Sequence, residues 1–453
     1  MHRRILFTLC LLLIAAIPSR QATTQTKPFV PVVLISIDGL KPDYVLEADK
    51  HKLKIPNLRR LTSEGAHASG VVAAFPTVTY PNHTTMVTGV SPSKHGILAN
   101  TPFDPFGKNQ GGWYWYAEDI RVPTLWDAAS QAGLVTASVD WPVTVGANIT
   151  HNIAQYWRAE TPDDLKLIRA LSTPGLLSEA ERHVGSYPRG NDYTVAADHR
   201  RAAFTAFVLE KKKPNFLLCY FSGLDTEEHS SGPYSRETFS TLEQIDEMVG
   251  QVRAAAEKLG DGRAVICVVS DHGFMRIEKE ININAALSRA GLIKLDSKGR
   301  VESWRAISWY AGGSAAIMLE NSRDDEARSQ VGKLLKQLAS DPQNGIDRVI
   351  EGPEINKLDG FPGAAFALSA REGFKIGRNL DGPLITPCKD RGMHGYLPDI
   401  KAMHAAFFIS GPGIPEGLDL GVIDMRDLAP TLAALMGLAL PLAEGRDLFR
   451  DRK

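Results

Sequence analysis

Three places in this chain put carboxylates, two of them with a histidine, directly after short apolar runs. Asp38 and Gly39 follow Val32–Ile37. Ser222-Gly223-Leu224-Asp225 and then His229 follow Phe216–Phe221. Ser270-Asp271-His272-Gly273 follows Ala264–Val269. A fourth run, Ala68–Ala74, is followed by Thr77, Thr79, Tyr80 and a prolyl helix start at Pro81. Further on, His394 lies between small neighbours in Gly392-Met393-His394-Gly395. Asp-Gly after a strand is by itself an ordinary turn, and Asp225 and His229 at i, i+4 could be a surface pair on one helix face. Their common position decides the matter: in an open parallel sheet, ligands bind beyond the carboxyl ends of the strands. Three carboxylates and three histidines suffice for two cations with mixed nitrogen and oxygen ligation. That donor set suits Zn²⁺ best, with Mn²⁺ or Fe as alternatives. Two such ions side by side form a clamp for in-line displacement at phosphorus.

The elements that must position these residues are legible from their pattern. The runs are continuous, β-branched and bounded by turn residues, as in a sheet covered on both faces. They include Val135–Val139 and Ala405–Ile409, and they alternate with helical stretches such as Thr194–Lys211 and Arg236–Leu259. Strand and helix in turn predict an α/β fold: a doubly wound, mostly parallel central sheet with helices on both faces. Residues 275–387 are less regular and are expected to form a small inserted cap subdomain within a catalytic domain spanning 28–453. His83 and His95 are expected to be hydrogen-bonded turn histidines, and Trp113–Tyr116 either a groove lining or a packed hairpin.

The remaining features set the compartment and the class of partner. Arg3 and Arg4 precede an apolar run, Ile5 to Ile17, that Pro18 breaks. Thirteen helical residues reach only about 20 Å, short of a bilayer core of roughly 30 Å. Residues 1–22 are therefore read as a secretory signal peptide, with an exported, periplasmic or secreted product and no stable membrane insertion after cleavage. Of the four cysteines, Cys10 lies in that segment, and the odd remainder cannot complete a disulfide framework. Cys219 and Cys267 read as small buried hydrophobes and Cys388 as a loop residue. The 453 residues carry 51 Lys+Arg against 52 Asp+Glu, which argues against binding polymeric nucleic acid. The expected partner is a small-molecule phosphodiester or nucleotide.

The ordered blocks Leu34–Leu40, Phe75–Gly89, His95–Asn100, Tyr220–Pro233 with Val268–Phe274, and Arg391–Tyr396 with Met403–Pro412 resemble the type I phosphodiesterase/nucleotide pyrophosphatase family of the alkaline phosphatase superfamily. The resemblance implies an alkaline phosphatase-like fold and two zinc sites. Asp225, His229 and His394 would hold one ion, and Asp38, Asp271 and His272 the other. It implies Thr79 as a metal-bound nucleophile, its Oγ presented by the first ion, passing through a phosphothreonine, with Asn100 as a phosphate-binding amide and Tyr80 and Tyr220 as aromatics beside the substrate. Two departures stand out. Ser222-Gly223-Leu224 replaces the family's usual Glu-Pro lead-in, and Glu228 stands where it commonly has glycine; a carboxylate there is expected to change the pocket wall and repel strongly anionic substrates. A phosphate monoesterase or phosphonate hydrolase on the same core is the alternative activity. The stretch after Val135–Val139 holds no Lys or Arg until Arg158, which favours diesters over monoester dianions. A catalytically inactive secreted binding protein is the alternative of another class, and it would call for a missing ligand.

Overall fold

A computed structural model describes residues 30–158 and 160–450; the expected signal segment, with Cys10, lies outside the described residues. An eight-stranded sheet forms the centre. Its spatial order is Leu418–Asp419, Gly65–His67, Phe407–Ser410, Val265–Val269, Val32–Ile37, Phe216–Phe221, Thr136–Val139 and His151–Ile153. All pairings are parallel except those of Phe407–Ser410, which runs antiparallel to both neighbours. One antiparallel strand is consistent with the expected mostly parallel sheet. Strand direction leaves no trace in a short apolar run, because the same burial on two faces produces it either way.

The three central strands are apolar throughout because each face of the sheet has its own core. Val33, Ile35 and Ile37 point to one side with Leu217, Cys219, Phe221 and Val268. Helices Pro56–Glu64, Val195–Lys212 and Arg236–Leu259 supply Leu58, Phe204, Val208, Leu242, Ile245 and Val249 to that side. Val32 and Leu34 point to the other side with Leu218, Cys267 and Val269, against Met86, Val87, Trp126 and Leu432. Both strand cysteines are thus buried and free, and the architecture is the expected doubly wound, mostly parallel sheet with helices on both faces. In the longest helix, Ser235 Oγ accepts the Thr238 N–H at 3.1 Å as its N-cap, and Gly260 follows its last turn. Among the described residues, no helix is long and apolar enough to cross a membrane.

Register fixes the site. Val32 pairs with Phe216 and Val265, and Ile37 pairs with Phe221. The three strands therefore end side by side, which brings Asp38, Ser222–Asp225 and Ser270–His272 to one edge.

The lead-in to Thr79 differs from expectation. The chain bends at Ser69, whose N–H turns to the Gly421 carbonyl, so the expected Ala68–Ala74 strand divides. Gly65–His67 joins the large sheet, whereas Gly70–Val72 pairs with Val422–Asp424 and meets Ala405 through a single bridge at Val71. The following helix begins at Thr79, two residues before Pro81. Proline is tolerated there because the first-turn N–H groups have no partner within the helix.

Between Val269 and Phe407 no described residue joins the large sheet. This segment builds an antiparallel sheet (Ala306–Ala311, Ser314–Leu319, Phe366–Ala370, Ile346–Glu351) and a second sheet around Met275–Ile281. Ile317, Val331, Leu335 and Leu368 pack in its own core, where Asp325–Ala339 lies against the sheet. Gly392–Met393 pairs with Met275–Ile281 and leads directly into His394.

Candidate active site

Asp225 sits in the first turn of helix Gly223–Ser231, and His229 lies one turn later on the same face. Their side chains meet with His229 Nε2 3.4 Å from Asp225 Oδ1, and His394 Nε2 is 3.7 Å from the same oxygen. Deeper in the protein, His272 Nε2 lies 3.3 Å from Asp38 Oδ1 and 3.2 Å from Asp271 Oδ2. The structure thus brings all six residues together. Two compact ligand groups emerge: Asp225, His229 and His394, and then Asp38, Asp225 and His272. Asp225 belongs to both, a sharing that the residue types alone did not indicate. The His272 and His394 rings stack at 3.7 Å, nearly parallel.

The neighbours of these atoms show what the cluster lacks. Asp38 Oδ1, Asp225 Oδ1, Asp271 Oδ2 and His272 Nε2 are buried and accept no hydrogen bond. Burial, with repulsion from Asp225 and Asp271, pushes the Asp38 carboxyl well up; burial likewise raises Asp271. Burial and the neighbouring histidines hold His272 and His394 well below the ordinary imidazole range, so both rings are neutral. Buried groups of this kind need a partner, and a cation satisfies carboxylate and imidazole acceptor atoms that face one another. Zn²⁺ fits this set of neutral imidazoles and carboxylates.

Surrounding groups hold the ligands in orientation. His229 Nδ1 bonds the Gly392 carbonyl at 3.0 Å and His394 Nδ1 the Thr77 carbonyl at 3.2 Å, which leaves each Nε2 facing Asp225. The Gly39 N–H donates to Asp271 Oδ1 at 3.2 Å. His83 bridges the Thr79 carbonyl and Ser36 Oγ, both at 2.8 Å, and lies 3.6 Å from Asp271 Oδ2. His95 bonds Thr85 and the Ile97 N–H. Both are fully buried and hydrogen-bonded as expected, but they lie in helices, not turns, and His83 also lies against the carboxylate of Asp271, a candidate ligand.

A cleft of about 520 Å³ opens over Asp225, His229 and His394, with Thr79 and Asn100 on its wall. The Tyr80 N–H donates to Asn100 Oδ1 at 2.9 Å, so the amide oxygen is engaged and the NH₂ remains for a ligand.

Three expectations need correction. Tyr80 and Tyr220 do not line the cleft. Tyr80 is buried with its hydroxyl 2.6 Å from Gln155 Oε1, and Tyr220 donates its hydroxyl to Asp38 Oδ2. The aromatics that face the cleft are Trp113 and Tyr310, whereas Trp115 packs inward against Tyr156 and Trp157. Glu228 is not on the cleft wall either. It points away from His229 into the interior, where Oε1 accepts from the Tyr44 hydroxyl at 2.5 Å, and burial raises its carboxyl well above the ordinary range. Finally, basic side chains do reach the cleft. Lys375 and Arg378 arrive from the inserted segment, not from the stretch after the Thr136–Val139 strand. No local pattern marks them, because a long-range fold contact delivers them.

Known proteins resemble this chain in sequence and in fold. Residues 32–397 match the family described as type I phosphodiesterase / nucleotide pyrophosphatase. An uncharacterized pyrophosphatase/phosphodiesterase of Schizosaccharomyces pombe is 27% identical over 53% of this chain, an alignment that spans only 44% of that protein. Human ectonucleotide pyrophosphatase/phosphodiesterase family member 5 is 23% identical over 90% of this chain and 75% of its own length. The mouse bis(5'-adenosyl)-triphosphatase enpp4 is 22% identical over 90% and 77% respectively. The solved structure of the human family member 5 superposes with a TM-score of 0.66, covering 92% of this chain and 97% of that one at 21% identity. The murine counterpart, in an inactive form in complex with AMP, gives 0.67 over the same shares. With a match across most of its length, this chain belongs to the type I phosphodiesterase/nucleotide pyrophosphatase family.

Proposed function

We propose that this protein is an exported, two-zinc phosphodiesterase/nucleotide pyrophosphatase. The observation that carries the reading is the convergence of six residues of metal-ligating type, four of which (Asp38, Asp225, Asp271 and His272) hold a buried atom with no hydrogen-bond partner, beside a cleft that also presents Thr79 and Asn100. Asp225, His229 and His394 would hold one cation. Asp38, Asp271 and His272 would hold the other, with Asp225 within reach of both. Bound zinc would supply Lewis acidity, lowering the cost of a threonine alkoxide and of charge on the phosphoryl oxygens.

The chain's own groups define the rest of the reaction. Thr79 is the first residue of a ten-residue buried helix, so its hydroxyl stands where backbone N–H groups favour an anion. Thr79 Oγ attacks phosphorus as the bond to the leaving oxygen breaks, giving a phosphothreonine. Water then attacks the same phosphorus, releasing the phosphate monoester and restoring the hydroxyl. The Asn100 NH₂ donates to a non-bridging oxygen, its orientation set by the Tyr80 N–H on the amide oxygen. His83 fixes the Thr79 carbonyl and thereby the start of the helix. An inactive threonine-to-alanine form is known for the murine relative, and that relative binds AMP. Both facts support a threonine-dependent reaction on nucleotides. Export is supported by Arg3, Arg4 and the apolar run Ile5 to Ile17.

Initial rates on bis(p-nitrophenyl) phosphate and p-nitrophenyl phosphate test the reading with one protein. It requires a clear preference for the diester. A preference for the monoester would replace it with a phosphate monoesterase on the same ligands, and activity on neither would favour a binding protein.

A further inference from the structure

The cleft over the candidate metal ligands has a neighbouring cavity. Thr101, Tyr310 and Arg378 line it and also line a second cavity of about 470 Å³, whose walls include Phe103, Phe106, Ile307 and Trp309. The two spaces adjoin at those three residues. Arg378 stands at the junction, its guanidinium carbon 4.0 Å from the Tyr310 ring centroid. Lys375, the other base in the cleft, is engaged by Asp390 at 2.5 Å and Glu280 at 3.3 Å. Arg378 has no hydrogen bond or ion pair among the described residues and is exposed. The four charges of Lys375, Arg378, Glu280 and Asp390 cancel, so this wall exerts no general pull on anions. What it offers is directional. A guanidinium stacked on an aromatic face keeps its edge N–H groups free, and that fork matches two phosphate oxygens.

We propose that Arg378, seated on Tyr310 at the junction of the two cavities, binds a second phosphate of a diphosphate or longer phosphoanhydride substrate, and that the adjoining groove takes the group esterified beyond it. The inference rests on the phosphodiesterase reading and narrows it. The inserted segment then selects substrates with a phosphorylated leaving group over simple diesters. Phe103 packs against Trp304 and Trp309, whereas Phe106 is exposed at the rim. An aromatic or apolar group would gain contact area on that wall.

The test compares bis(5'-adenosyl) triphosphate with bis(p-nitrophenyl) phosphate, which carries no second phosphate, in wild type, Arg378→Gln and Phe106→Ser. Both side chains are exposed, and neither substitution removes a packed core group. The expected result is a fall of about tenfold in the ratio of kcat/KM for the triphosphate over the simple diester in Arg378→Gln, mostly through KM. A smaller fall, about threefold, is expected in Phe106→Ser. An unchanged ratio in Arg378→Gln overturns the phosphate site, and an unchanged ratio in Phe106→Ser overturns the groove assignment. A wild-type enzyme that cleaves the simple diester but not the triphosphate overturns the inference and leaves the phosphodiesterase reading standing. Cleavage of neither overturns both.

Discussion

Gly223 opens the helix that carries Asp225 and His229, and its lack of a side chain is a structural requirement. A Cβ at this position would lie 2.8 Å from Asp198 Oδ2, 2.8 Å from the Val195 backbone nitrogen and 2.9 Å from the Val195 Cα. Two of those atoms are backbone and cannot swing aside. The helix start must then move by roughly half an ångström to restore ordinary contact distances. Asp198 is also the group that holds this end, accepting the Gly223 N–H at 2.7 Å and the Ser222 N–H at 3.2 Å while it pairs with buried Arg201 at 2.9 Å. Gly223→Ala should therefore cost about 1–3 kcal/mol for overpacking. Weakening a hydrogen bond to a charged acceptor adds up to about 1.5–3 kcal/mol. Displacing Asp225 should lower metal affinity, and a misplacement of this order can reduce turnover by as much as ~100-fold. Urea denaturation with and without saturating Zn²⁺, a chelator competition, and rates on bis(p-nitrophenyl) phosphate measure the three effects. A variant with wild-type stability, affinity and rate would refute the claim that the Asp198 contact sets the position of the metal-ligand helix.

Two further substitutions probe residues whose roles the structure reassigned. Tyr220→Phe removes the hydroxyl that holds Asp38 Oδ2; it should weaken zinc binding about 10–100-fold in a chelator competition, and an unchanged affinity would return Tyr220 to a packing role. Glu228 is buried, and its carboxyl is held above its ordinary value chiefly by burial. As pH rises past the unfolded-state value, the unfolded chain releases this proton before the native state does, so native stability falls by up to ~1.4 kcal/mol per pH unit until the native group also ionises. Glu228→Gln is uncharged throughout, so its advantage over wild type should grow between about pH 5 and pH 7 in metal-free urea titrations; a difference that stays constant with pH contradicts the assignment.

The clustering of the candidate ligands was legible in the sequence because it depends on two local facts. Apolar runs announce covered parallel strands, and ligands gather where such strands end. Val32–Ile37, Phe216–Phe221 and Val265–Val269 are adjacent and in register, so Asp38, Asp225, Asp271 and His272 needed only their position in the chain to be found. Orientation was not legible. Tyr220 lies on the strand face that points toward His83 and Asp38, and Glu228 is turned about 100° around its helix from His229. Neither direction follows from residue type. Tyr310, Lys375 and Arg378 were missed for another reason. They reach the cleft only because the inserted segment folds back over the sheet edge, a non-local packing outcome with no periodic signature.

Elemental analysis of wild type and Thr79→Ala, side by side with their diesterase rates, tests the central claim most directly. The account predicts two equivalents of zinc in each protein, with activity on bis(p-nitrophenyl) phosphate lost in the variant alone. Fewer than two metal equivalents in wild type, or undiminished hydrolysis by Thr79→Ala, would contradict it.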